Sequence, residues 1–366
     1  MKNKKIISLL ASTAIATVVS TSAYSQLSIT GYVEASYMAG KSERGASDAN
    51  LNLVTGKQLG NETLIRVATN GKMSNGMAYS VYQEFESDET SKMHARGIEI
   101  VPTTGLAVGY SFDGAKGSEI ARTATPYVTN RHTDVTGLTG IVEPIDVTSG
   151  EHFVYADVIN LAGKTSQLSF AYAPNLDSGS INGSDRIVTL TNNNSGYGVG
   201  YSVTPITGLT ARAGYTKVEQ NLKANQDVKM KTLGVTYATG PFAIGAQRYN
   251  QEGLKGPAGT ATNLAGTTSA PQAATHEDET TLLSATYAVT KELTVGFGYA
   301  EQERTMAGVK NPVDAESRLF SIGYNLGPVV LSYDFEKSEN VPVTQNGAHV
   351  SGRDVDMNKI RVRANF

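Results

Sequence analysis

The chain has 366 residues, no cysteine and no tryptophan, and 37 glycines, and only 18% of its residues are charged. Lack of cysteine excludes disulfides and thiolate metal sites, and a net charge of −3 gives no basic footprint for nucleic acid. Average soluble chains carry about 25% charged residues, so the length fits either several ordinary domains or one large β unit.

The first element is an address. "MKNKKIISLLASTAIATVVSTSAYSQ" opens on Lys2, Lys4 and Lys5, continues with an apolar run from Ile6 to Val19, and ends on the small-residue site Ala23-Tyr24-Ser25. That run has the length of a signal h-region and is too short to cross a bilayer as a helix. The layout predicts residues 1–25 as a signal peptide for Sec export, cleaved near Ser25; the competing reading is an amphipathic or anchoring N-terminal helix. Removing the three lysines takes the net charge from −3 to −6. Every later apolar run is soon broken by polar residues. If the chain enters a membrane it must therefore close as a barrel, because only helices and barrels satisfy every backbone polar group in lipid.

From residue 27 the chain reads in twos. "LTVGFGYAEQE" puts Leu293, Val295, Phe297 and Tyr299 on one face and Thr294, Gly296, Gly298 and Ala300 on the other. "VVLSYDFEKSE" repeats the pattern with Val329, Leu331, Tyr333 and Phe335. Period-2 alternation marks strands with two unlike faces. In chain order the predicted strands are 27–38, 60–70, 77–87, 92–101, 106–112, 151–159, 166–174 and 185–204, then 209–219, 228–238, 242–251, 279–289, 293–304, 316–326, 329–339 and 356–366. The eighth is kept whole because "TPITG" makes a better tight turn than "NNNSG". Splitting it would give an odd count and put the termini at opposite ends, against the even counts of bacterial single-chain barrels.

The connections separate this pattern from a sandwich. Short ones (72–77, 103–105, 162–166, 204–208, 239–241, 290–292, 327–328) are read as alternating with long ones (39–59, 113–150, 175–184, 220–227, 252–278, 305–315, 340–355). Up-and-down strands so joined carry all tight turns at one end. The fold class is therefore all-β: a transmembrane antiparallel up-and-down β-barrel of sixteen strands, with short periplasmic turns and long outer loops. The chain stops on "NKIRVRANF". Ile360, Val362, Ala364 and Phe366 form an outward face, and Lys359, Arg361 and Arg363 an inward one. This last strand must pair with the first to remove both sheet edges, placing Phe366 at the lipid–water boundary that aromatics favour. Tyr110, Phe112, Tyr172, Tyr201, Phe242, Tyr287 and Tyr324 are expected in the girdles.

At this point the chain resembles the Gram-negative general (trimeric) porins. "ETLIRVATNGKMSNGMAYSVYQEFE" (62–86) resembles their second and third strands around a glycine-rich turn, and "ARTATPYV" (121–128) the start of their third loop. The lack of tryptophan and a longer spacing around 106–122 depart from the family pattern. The resemblance implies an outer-membrane, water-filled channel for small hydrophilic solutes and ions. It implies a homotrimer in contact with outer-membrane lipid and lipopolysaccharide, and no cofactor. It also implies a third loop, 113–150, folded into the lumen as a constriction. The terminal Phe366 resembles the signal read by the barrel assembly machinery. On this reading the acids of the loop, Asp113, Glu119, Asp134, Glu143 and Asp146, face a basic wall of Arg66, Lys359, Arg361 and Arg363, with Arg212 further round and Arg122 added. A lipid-facing arginine at mid-bilayer would cost about 2–4 kcal/mol, which favours the lumen for these bases. Glu34, Glu84 and Glu86 also face inward in this register, as do Tyr32, Tyr82 and Tyr249. Local charges outweigh distant loop charges under screening, so a weak to moderate anion preference is expected.

Catalytic and metal signals are weak. The histidines (94, 132, 152, 276, 349) have no paired metal spacing, and no G-x-S-x-G elbow occurs. The chain is not expected to be an enzyme. The glycines of "GYGVGYS" (196–202) are read as small inward residues between outward tyrosine and valine. Two alternatives remain open: a substrate-specific outer-membrane channel, which would need an aromatic track in the lumen, and a non-conducting structural or adhesin barrel. Sixteen strands argue against the latter, since barrels of that size leave an aqueous channel.

Overall fold

A computed structural model describes residues 26–43, 56–87, 91–122, 124–128, 147, 152–161, 165–174, 176, 195–219, 227–254, 261–262, 268–269, 276–306, 309–310, 314–345 and 348–366. Sixteen long strands close into one antiparallel barrel. The first eight are β1 (Gln26–Glu43), β2 (Gly56–Lys72), β3 (Ala78–Ser87), β4 (Ser91–Thr103), β5 (Leu106–Phe112), β6 (His152–Ile159), β7 (Thr165–Ala173) and β8 (Ser195–Ile206). The second eight are β9 (Leu209–Glu219), β10 (Val228–Thr239), β11 (Phe242–Leu254), β12 (His276–Ala288), β13 (Leu293–Met306), β14 (Ala315–Leu326), β15 (Val329–Gln345) and β16 (Ala348–Asn365). No helix among the described residues is long and apolar enough to cross a membrane.

Each strand pairs with its sequence neighbours, and β16 pairs with β1 to close the ring. The closing register sets Glu34 opposite Arg363 and Tyr37 opposite Ile360. Beyond the last strand residue, Phe366 and Gly31 exchange both backbone hydrogen bonds at 3.0 Å. The short turns use glycine where the chain reverses with positive φ, as at Gly208 (82°) and Gly327 (80°), a conformation that costs glycine little.

Alternation sorts the faces as expected. Leu233, Ile244, Phe297 and Ile360 are exposed on the outside, while Met230, Tyr249 and Ala300 on the same strands are buried inside. Phe242 and Tyr287 lie 4.5 Å apart near the short-turn end. Arg96, which shares a face with Ile98 and Ile100, points outward and sits 5.0 Å from the Phe112 ring.

Two features of the connections need correction. The strict short–long alternation fails after β3, where only residues 88–90 separate it from β4 at the long-loop end. The connections expected at 39–59 and 340–355 shrink to 44–55 and 346–347, because β1, β2, β15 and β16 run further than predicted. Out there the outward residues are Lys337, Glu339, Asp354 and Asp356. On β15 both faces turn polar, and on β16 the order inverts, with Val355 and Met357 buried inside and the aspartates outside, so the apolar-outside signature that would reveal the strand is lost. The eighth strand is described from Ser195, and its turn to β9 falls between Ile206 and Leu209; the residues 185–194 assigned to it lie outside the described residues, as do 1–25.

Candidate functional site: the lumen and its inner loop

After β5 the chain turns into the barrel. Asp113 (φ 54°), Gly114 (147°) and Gly117 (60°) all adopt positive φ, and aspartate and glycine tolerate such angles better than most residues. The 3-10 turn Gly117–Ala121 then packs against β7, β8 and β9. Residues 124–128 continue along the inner wall toward β12 and β13.

Polar anchors fix this segment at intervals. At its start Lys116 bridges Asp157 on β6 and Glu99 on β4, the latter at 3.1 Å, with its ammonium 4.2 Å from the Tyr155 ring. Burial works to lower the Lys116 pKa, but the bond to Asp157 and the pull of both carboxylates raise it above the usual lysine value. Gly117 N–H donates to Ser169 Oγ at 2.7 Å. Ser118 and Thr216 hydroxyls are 2.6 Å apart. Further on, Gln247 bonds the backbone of Ala121, Arg122 and Ala124, and Ser284 Oγ donates to Pro126 O at 2.6 Å.

The strands that do not touch this loop segment carry the charged side of the lumen. Arg66 on β2 pairs with Glu84 on β3 at 2.9 Å and lies 4.3 Å from the Tyr82 ring. On β16, Arg361 lies 3.5 Å from both Glu34 of β1 and Asp334 of β15. Arg363 approaches Glu34 at 2.6 Å and stacks over Tyr32 at 3.9 Å. Tyr32 in turn donates to Glu62. The Arg361, Glu34 and Asp334 side chains are at most 5% exposed, so this cluster is held in low dielectric and its members must be paired.

A family profile for Gram-negative porins matches residues 11–340. The chain belongs to the Gram-negative porin family. No curated protein matches its sequence. Among solved structures, this porin resembles in-vitro folded OmpT, an outer-membrane protein of Vibrio cholerae, with TM-score 0.63 at 12% identity, over 96% of this chain and 100% of that one. It also resembles an anion-selective porin from Comamonas acidovorans, with TM-score 0.60 at 13% identity, over 94% and 100%. A trimer form of the Vibrio protein aligns with TM-score 0.60 at 12% identity, over 93% and 99%. At such identities the likeness speaks for the fold.

The porin barrel distributes the predicted site residues unevenly. Lys359, Arg361 and Arg363 take successive inward positions of β16 at the seam, and Arg66 lies two strands away on β2, opposite Thr30 of β1. Arg212 lies apart on β9, within 3.4 Å of the Thr236 hydroxyl. Arg122 is not on the wall: it ends the 3-10 turn of the inner loop and pairs with Glu119 at 2.9 Å. The reason is simply that the chain has already left β5 at Phe112. Asp113 and Glu119 are on the loop as expected; Asp134, Glu143 and Asp146 lie outside the described residues. Phe366 is exposed on the outer face at the short-turn end.

The larger correction concerns charge. The seam was read as locally basic, but Glu34, Glu84 and Asp334 pair with three of its four bases. Among the described residues Lys359 makes no ion pair. The loop, read as acidic, also brings in Lys116 and Arg122. Sequence reasoning missed Lys116, Glu99, Asp157, Asp334 and Gln247. The inward parity of Glu99, Asp157 and Asp334 was available from strand alternation; their partners were not.

Proposed function

We propose that this porin forms a water-filled channel through which small hydrophilic solutes and ions diffuse passively across the outer membrane. The observation that carries the reading is a sixteen-strand barrel whose described inner loop lies along one side while charged side chains line the opposite side. Barrels of this size leave an aqueous passage. Among the described residues, the lumen aromatics do not form an exposed track. Tyr155 and Tyr249 are 6% and 1% exposed, and Tyr32 and Tyr82 are each capped by an arginine. That favours a general pore over a sugar-specific one.

Paired charge supports weak selectivity. Arg66, Arg361 and Arg363 carry their counter-charges with them, so an anion preference would come mainly from Lys359 and Arg212. The biological unit in this reading is a homotrimer, exported with loss of residues 1–25, assembled through its Phe366 ending and seated among outer-membrane lipid and lipopolysaccharide. Recording from planar bilayers tests the proposal. Adding the mature protein should give stepwise, ohmic conductance, with steps closing in threes. Protein that inserts and never conducts would overturn the channel and favour the structural barrel.

A further inference from the structure

We propose that the width of this channel is set by the barrel wall, through a track of inward glycines on which the inner loop lies, and that Gln247 is the positioning residue clamping the loop to it. The proposal rests on the channel reading above. It starts from six glycines on the inward faces of five strands: Gly198 and Gly200 on β8, Gly214 on β9, Gly234 on β10, Gly245 on β11 and Gly296 on β13. Glycine in a strand interior weakens the strand and often marks close approach of another backbone. Here the approaching chain is the loop, taken in order.

A Cβ on Gly198 would lie 2.7 Å from Ser118 Oγ, and one on Gly200 would strike the Gly117 carbonyl oxygen. On Gly214 it would meet Ala121 Cβ at 3.1 Å, and on Gly234 it would strike Ala124 Cβ. On Gly245 it would meet Pro126 Cδ at 2.7 Å, and on Gly296 Val128 Cγ2 at 2.5 Å. Ordinary Cβ contacts are longer than all of these. Residues 117–122 and 124–128 therefore keep their path only while these six positions lack side chains.

Gln247 holds the middle of that path. It is 2% exposed on β11. Its Oε1 accepts from Ala124 N–H at 3.0 Å, while Nε2 faces Ala121 O at 3.0 Å, Arg122 O at 2.7 Å and the Thr232 hydroxyl at 2.9 Å. The wall thus grips the loop by its backbone: Ser169 takes Gly117 N–H, Thr236 reaches Ala124 O, and Ser284 reaches Pro126 O. Backbone groups are the same whatever side chain the loop carries, so these wall anchors do not depend on the loop's side chains, whereas Lys116 and Ser118 add side-chain anchors at its start. A carboxylate cannot donate, so Gln247→Glu keeps the shape and removes the donors.

Two readouts test this. In planar bilayers, Gln247→Glu, Gln247→Ala and Gly234→Val should shift unitary conductance and reversal potential away from wild type and add current noise. Ser338→Ala, equally buried on β15 and bonded to Ser317 rather than to the loop, should conduct as wild type. If Gly234→Val does not assemble, the two Gln247 variants decide; wild-type conductance and reversal potential in both overturn the proposal. The second readout is independent of conduction. The chain has no cysteine of its own, and Ala121→Cys with Gly214→Cys would set two Cβ atoms 3.1 Å apart, slightly inside the ~3.5–4.5 Å usual for a disulfide. The folded protein should cross-link on oxidation, and the bond, drawing the loop back onto its seat, should bring the conductance closer to wild type than that of the reduced double variant. Failure to cross-link, or a conductance that falls on oxidation and returns on reduction, would show that the loop normally sits elsewhere. A wild type that never conducts would overturn the channel reading instead, and the cross-link would still judge the seat.

Discussion

The wall running from β15 through β16 and β1 to β2 is made of strands of 17, 18, 18 and 17 residues, whereas β5, β6 and β7 have 7, 8 and 9. At about 3.3 Å per residue the short strands at most just reach the roughly 9–11 residues that a tilted crossing takes, while the long ones project well beyond it. The inner faces differ as well. The tall side carries Glu34, Asp334, Arg361 and Arg363, closed into one ion-paired cluster. From β7 onward the inner face turns to Ser169, Ala171, Gly198, Gly200 and Gly214, over which the loop lies. An inward position facing water is best polar, and a polar side chain there needs a partner when it is crowded. An inward position facing another stretch of backbone is best empty. The comparison separates two jobs, electrostatics on one side and shape on the other.

The strongest way to break that division is Arg361→Ala. It would leave Glu34 and Asp334 buried with one partner fewer, and removing one member of a buried charge cluster costs about 3–5 kcal/mol. The unfolding midpoint of the assembled barrel should fall accordingly, and an unchanged midpoint would mean that water already solvates the cluster. Next in size is deletion of Phe366. It removes both backbone hydrogen bonds to Gly31, worth about 1–3 kcal/mol together, along with an interfacial ring. The yield of folded barrel should drop, while molecules that do fold conduct normally; altered unitary conductance would place the ending in the pore rather than outside it. A smaller effect is expected from Arg66→Gln combined with Lys359→Gln. The reversal potential in a salt gradient should move toward cations at low ionic strength, and the shift should shrink near 1 M salt, where the Debye length is about 3 Å. A shift of the same size at both salt concentrations would argue against a screened field. The smallest effect belongs to Arg248→Ala. Its pair with Glu279 is on the outer surface with side chains 62% and 36% exposed, so stability should change by less than about 1 kcal/mol and conductance not at all. A large loss would reveal a buried role for that face.

Much of the barrel was legible because lipid and lumen make unlike demands on alternate residues. Phe297 outside and Ala300 inside follow directly from period-2 hydropathy, and so do Ile360 outside and Arg361 inside. The strand ends were illegible for the same reason in reverse. Above the apolar band Asp354 and Asp356 take the outer face and Val355 and Met357 the inner one, so the alternation inverts although the hydrogen-bond ladder continues to Lys41 and Glu43. The position of the bases could be read, but their neutralisation could not: Arg66 meets Glu84 only through the β2–β3 register, and Glu34 meets Arg363 only once the ring is closed. The glycine track left a trace in "GYGVGYS", where small residues fill every inward position. The wider signal, inward glycine recurring on strand after strand, becomes meaningful only when the loop is known to lie there.

The closing seam also has a kinetic meaning. Glu34 and Arg363 touch across 329 positions of the chain. Against a ten-residue hairpin, closing a loop of that length costs about 3 kcal/mol more in chain entropy. Nearly every other strand can pair with a neighbour just made, so among the strand pairings this one joint is the long-range one. Throughout its formation the sheet therefore has two raw edges, β1 and whatever strand was added last, each able to pair with the wrong chain. Pairing of β16 with β1 ends that exposure.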